Sequence, residues 1–96
     1  MQALNHQMTP HAAARAQQRR LPPVIVDWLE TYGARAQDRR GAAILYFDKA
    51  SRRNLERDVG SQVVDRLRPL LDAYLVMADD GTVITLGWRF KRVPRH

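Results

Sequence analysis

Apolar residues recur along this chain at two periods, and each change of period marks a change of element. Between Pro23 and Tyr32 they fall at Val24, Ile25, Trp28, Leu29 and Tyr32, the spacing of one helix face, while Asp27, Glu30 and Thr31 turn away. Leu21-Pro22-Pro23 separates this helix from an earlier one, because a residue before proline is driven out of the helical region. Gly33 is placed to stop it. The earlier helix covers residues 10–20 and is alanine-rich, with Thr9 as N-cap and Pro10 at its first position.

Beyond Gly33 the period shortens. Ala34 to Asp38 and Ala42 to Asp48 predict two strands around a turn at Arg39-Arg40-Gly41, the second nearly continuously apolar and so covered in part on both faces. Asp48 then caps a helix starting near Lys49, Gly60 breaks it, and Ser61 can cap another running toward Leu71. Leu55, Val59, Val63, Leu67, Leu70 and Leu71 form the stripe of this pair, and Pro69 predicts a kink or an early end. A closing hairpin follows: Ala73 to Ala78, a turn at Asp79-Asp80-Gly81, and a return from Thr82 to Phe90. Simple alternation points Ile84, Leu86, Trp88 and Phe90 one way, and Val83, Thr85, Gly87 and Arg89 the other. Residues 1–8 and the basic run 91–96 carry no predicted element. The expected fold is α+β: one domain over residues 1–96, two N-terminal helices packed on a small antiparallel sheet, and a helical insertion between strands 2 and 3.

Composition narrows the chemistry. With 45% apolar and 27% charged residues among 96, the chain suits a single globular core. It has no cysteine, which excludes disulfides, thiolate metal sites and cysteine nucleophiles. The first residues lack the basic and apolar segments of a signal peptide, and no apolar run is long enough to cross a bilayer; a cytoplasmic protein away from membranes is expected. Net charge is +6, and fourteen of the sixteen basic residues are arginine. That balance favours RNA, DNA or an acidic protein as partner, and the planar guanidinium suits phosphate.

Three constellations could carry chemistry. On the first helix His11, Arg15 and Gln18 share a face with Arg19 at its edge, so an imidazole lies one turn from a guanidinium. Cleavage of a phosphodiester needs a proton acceptor, a proton donor and positive charge on the developing phosphorane, and imidazole can serve as acid or base. The same face also reads as an ordinary solvated one. On the last strand Thr85 and Arg89, continued by Arg92, could hold a phosphate or form the solvent side of a half-buried sheet. Tyr46 shares a strand face with Asp48 and could move a proton or stack on a base, whereas Asp48 fits a capping role better. Arg52, Arg53 and Arg57 read most simply as a solvated helix face, and Trp28 as a core anchor. His6, His11 and His96 are too scattered for a metal site, and no phosphate-cradling glycine loop occurs, so any catalysis is metal-independent and needs no cofactor.

Thr9-x-His11-Ala12-x-x-Arg15-x-x-Gln18-Arg19-x-Leu21-Pro22, with an apolar helix ending in Tyr32-Gly33 and a closing Thr82-Val83-Ile84-Thr85-Leu86-Gly87-Trp88-Arg89, resembles a small bacterial domain-of-unknown-function family. Its members open with an H-A-x-x-R-x-x-x-R helix and close with a T-V-x-T-x-x-x-R strand. That family is similar to the RelE/ParE and BrnT toxins. The resemblance implies a toxin-type endoribonuclease paired with an acidic antitoxin, with His11, Arg15, Arg19, Thr85 and Arg89 carried over as motif positions. The chain departs from the pattern at Gly87 or Trp88, where members often carry histidine. The combined expectation has His11 or Tyr46 as general base, Arg15 and Arg89 on the phosphate, and Arg19, Thr85 and Arg92 positioning the RNA backbone. Two rival expectations use the same surface: a non-catalytic module for nucleic acid or an acidic protein, and a toxin acting on a protein target.

Overall fold

Prolines and polar caps set the helix boundaries. The computed structural model describes residues 7–38 and 40–89. In α1 (Pro10–Gln18) the Thr9 hydroxyl accepts from the amide of Ala12 at 3.1 Å. In α2 (Pro23–Tyr32) the N-cap is Pro22 and makes no side-chain bond. The strands β1 (Ala34–Gln37) and β2 (Ala43–Tyr46) follow, then α3 (Lys49–Val59), whose first turn is capped by Asp48. Next come α4 (Ser61–Leu67), a 3-10 segment (Arg68–Asp72), β3 (Ala73–Met77) and β4 (Val83–Trp88). The early end of α4 before Pro69 follows from the missing proline amide.

All four strands pair antiparallel in the order β1-β2-β3-β4, so the helical insertion leaves the meander intact. The fold is the expected α+β arrangement. One face of the sheet is apolar and covered: Leu45, Leu75 and Leu86 lie side by side in register, each 0% exposed. Against them pack Ile25, Val26, Trp28 and Leu29 of α2, with Leu55, Val64 and Leu71 from the insertion. The Tyr32 hydroxyl ties α2 to α3 by donating to Asp58 at 3.0 Å, and Arg52 ties α3 to the 3-10 segment through Asp72 and the Leu71 carbonyl.

Three local details differ from the sequence pattern. In β4 the register jumps from Val76↔Thr85 to Met77↔Val83, leaving Ile84 as a bulge. Val83 is therefore buried and Ile84 is 37% exposed, the reverse of simple alternation. In the insertion Val64 is buried and Val63 exposed, because Gly60 at φ +96° breaks the helix and resets its phase. Gly60, rather than Ser61, is the N-cap of α4. Gly33 is extended rather than left-handed, and it is needed for space: a Cβ there would collide with the Leu29 carbonyl oxygen.

Candidate nucleic-acid interface at the rim of the sheet

The first helix is docked on the last strand. The Thr9 amide donates to the Val83 carbonyl at 3.0 Å, the Val83 amide to the Gln7 carbonyl at 2.9 Å, and the Thr9 hydroxyl to the Ile84 carbonyl at 3.0 Å. At the other end the Trp88 indole donates to the Arg19 carbonyl at 2.9 Å. From Thr9 to Arg19 a helix rises about 15 Å, and from Ile84 to Trp88 a strand advances about 13 Å. The two elements therefore run side by side in one direction, joined at both ends. Ala12 is fully buried on the inner side of α1, where a larger residue would push the helix off the sheet.

This alignment fixes where the candidate residues lie. Exposed His11 sits in the first turn of α1, at the height of Thr85. Arg15 is one turn further, near the height of Gly87, and exposed Arg19 stands beside Trp88. Thr85 and Gly87 are on the sheet face opposite the core, in register with Val76 and Tyr74. Arg89 leaves the end of β4, and its amide donates to the Asp72 carbonyl at 2.6 Å. Its guanidinium lies over the Tyr46 ring, 5.1 Å from the centroid, and donates to the Phe47 carbonyl at 3.4 Å. The structure thus brings Arg89 and Tyr46 together, and puts His11, Arg15 and Arg19 along the adjoining edge. His11 is separated from Arg89 by most of the length of β4. Arg92 lies outside the described residues.

Two side-chain donors stand out among the described residues. The Nε atoms of Arg15 and Arg89 are buried and have no hydrogen-bond partner. Neither guanidinium makes an ion pair with a described carboxylate, whereas Arg52, Arg57 and Arg68 pair with Asp72, Asp58 and Asp65. The carboxylate nearest in sequence to Tyr46, Asp48, is committed elsewhere. It accepts from the Ser51 hydroxyl and the Ser51 amide, both at 2.7 Å, and these bonds hold its carboxyl below the usual carboxylate range. Asp48 is a cap rather than a partner for Tyr46.

Sequence reasoning missed Tyr74. It is paired in register with Tyr46 on one side and Gly87 on the other, so the row across the open face reads Ala34, Tyr46, Tyr74, Gly87. The Tyr74 ring leans over Gly87, where an added Cβ would lie 3.4 Å from Cε1. A groove of about 580 Å³ lies elsewhere, between the two hairpin turns, lined by Asp38, Arg40, Val76, Asp79, Asp80 and Ile84. Its carboxylates make it a poor seat for phosphate. No group of three or more histidine or acidic side chains among the described residues is placed to hold a metal ion, and no described helix is long and apolar enough to cross a membrane. Comparison of the chain with protein-family models, with curated proteins and with solved structures returned no match.

Proposed function

We propose that the protein is a cytoplasmic, metal-independent endoribonuclease of the toxin type, working at the rim where α1 lies along β4. The observation that carries this reading is the pair of buried, unpartnered Nε donors on Arg15 and Arg89, which flank that rim. An unmet buried donor on a charged group costs at least about 1–3 kcal/mol, and a phosphate oxygen is an acceptor that removes the cost. RNA supplies phosphates at regular intervals along one strand, so one strand can meet both Arg15 and Arg89.

In this reading His11 takes the proton of a ribose 2′-hydroxyl while that oxygen attacks the adjacent phosphorus. The bond from phosphorus to the 5′-oxygen breaks, and the leaving oxygen takes a proton from water or a neighbouring acid. The products are a 2′,3′-cyclic phosphate and a 5′-hydroxyl end. Arg15, on the same helix face as His11, stabilises the charge on the phosphorane. Arg89 holds a neighbouring phosphate above Tyr46, and Arg19, Thr85 and Arg92 guide the backbone. An acidic antitoxin would neutralise the same rim. Tyr46 is the alternative proton carrier, favoured by its direct contact with Arg89.

The test is incubation of purified protein with single-stranded RNA in a metal chelator, with end-mapping of the products. The wild type is expected to leave cyclic-phosphate ends, His11→Ala to lose about 10²–10⁴-fold in rate, and Tyr46→Phe to retain most of it. Loss with Tyr46→Phe and not with His11→Ala would move the base to Tyr46. Absence of any cleavage by the wild type, with salt-sensitive binding intact, would leave a nucleic-acid-binding module. Absence of both would point to a protein target.

A further inference from the structure

We infer that the open face of the sheet is a stacking platform that selects single-stranded RNA, with bases lying on Tyr74 and on the Arg89 guanidinium held over Tyr46. The inference rests on the phosphodiester reading above and adds what lies between the phosphates. Tyr46 and Tyr74 are neighbours in register on β2 and β3, the two central strands of a four-stranded antiparallel sheet. Among the described residues no helix covers this face, and both rings are partly exposed. Neither phenol hydroxyl has a hydrogen-bond partner among the described residues, so nothing holds the rings as parts of a polar network.

Their flanks are bare. Ala34 lies beside Tyr46 on β1, and Gly87 lies beside Tyr74 on β4. Gly87 does not need glycine for its backbone conformation, and its missing side chain leaves the Tyr74 ring low against the sheet. Tyr74 thus offers an unencumbered ring, and beside it the Arg89 guanidinium lies over Tyr46, so the row presents one aromatic plane and one guanidinium plane on which bases can stack. Paired exposed aromatics on the central strands of an open four-stranded sheet are one of the general ways proteins hold unpaired bases. A duplex keeps its bases stacked on one another and offers no base face to these planes.

Charge settles the occupant as nucleic acid rather than an apolar helix. Arg89 lies over Tyr46 at one end of the row, and neither it nor Arg15, on the helix docked along β4, has a carboxylate partner among the described residues. Asp48 and Asp72, the acids nearest the row, are engaged by Ser51 and Arg52.

The experiment measures binding of a fluorescent 2′-O-methyl RNA 12-mer, which cannot form a cyclic phosphate, alone and annealed to its complement. The single strand is expected to bind at least tenfold more tightly than the duplex. Tyr74→Ala is expected to weaken single-strand binding about 5- to 150-fold, the range that loss of one base stack supports, while Tyr74→Phe keeps wild-type affinity. Thermal melts of both variants separate loss of the platform from loss of the fold. Equal affinity for duplex and single strand, or a folded Tyr74→Ala variant with unchanged affinity, overturns the platform. Because the oligonucleotide is uncleavable, selective binding together with no cleavage of ordinary RNA would sink the enzyme and leave the platform standing. Cleavage with no preference for single strands would do the opposite.

Discussion

Arg89 is held by its stem and left unsatisfied at its Nε, the arrangement expected of a side chain kept for a ligand rather than for the fold. Its contributions to folding are a long bond to the Phe47 carbonyl and the contact with Tyr46, and against these stands the cost of a buried donor. Arg89→Met keeps the stem and removes the donor. It should leave stability within about 1 kcal/mol of the wild type while lowering RNA affinity about 10-fold or more. Urea denaturation and RNA titration on one preparation check both halves. Stability lost with affinity kept would mean that Arg89 is a structural residue. At this scale the sequence told part of the story. The placement of His11 one turn from Arg15 on a helix, and of Thr85 and Arg89 along the last strand and its continuation, is legible from spacing alone. That of Tyr74 is not, because its place beside Tyr46 depends on a strand register set across the whole 49–72 insertion.

Among the elements, α3 shows how one carboxylate sets a boundary. Asp48 accepts from the hydroxyl and the amide of Ser51, and its carboxyl titrates below the usual carboxylate range. A group with a lowered folded-state value stabilises the fold above its unfolded value, about 3.9 for aspartate, and loses that contribution as pH falls through the folded value. Asp48→Ala should therefore cost about 0.5–2 kcal/mol at pH 7, and the gap to wild type should be smaller at pH 3. Thermal melts at the two pH values measure it, and a gap that stays constant would remove the ionised cap as its cause. The element boundaries at Pro23, Asp48 and Gly60 were readable because proline, capping aspartate and glycine act locally. The Ile84 bulge and the swap of Val63 for Val64 were not. Both are phase shifts of one residue, which fixed periods cannot register and packing decides.

Across the whole molecule, acidic residues are absent from 1–26 and from 81–96, the two segments that include α1 and β4. Docking of α1 on β4 puts the described parts of these stretches together, while Asp38, Asp79 and Asp80 line the groove between the hairpin turns. The protein thus has a basic rim and an acidic end. If Arg15, Arg19 and Arg89 each neutralise one phosphate, log affinity for single-stranded RNA should fall with log salt at a slope of about −2. A titration from low to moderate salt with a slope near zero would mean that these arginines do not meet the backbone.

The pairing of the beginning of the chain with its end has a consequence for synthesis. Thr9 finds the Ile84 carbonyl across 75 positions, and Arg19 finds the Trp88 indole across 69. A nascent chain that has not yet delivered β4 offers α1 no edge to dock on, and Arg89 is not yet present to stand over Tyr46. The rim therefore comes into being only as the final strand pairs. If the protein cuts RNA as proposed, it is thereby harmless to the message from which it is being read until β4 has been made and has paired.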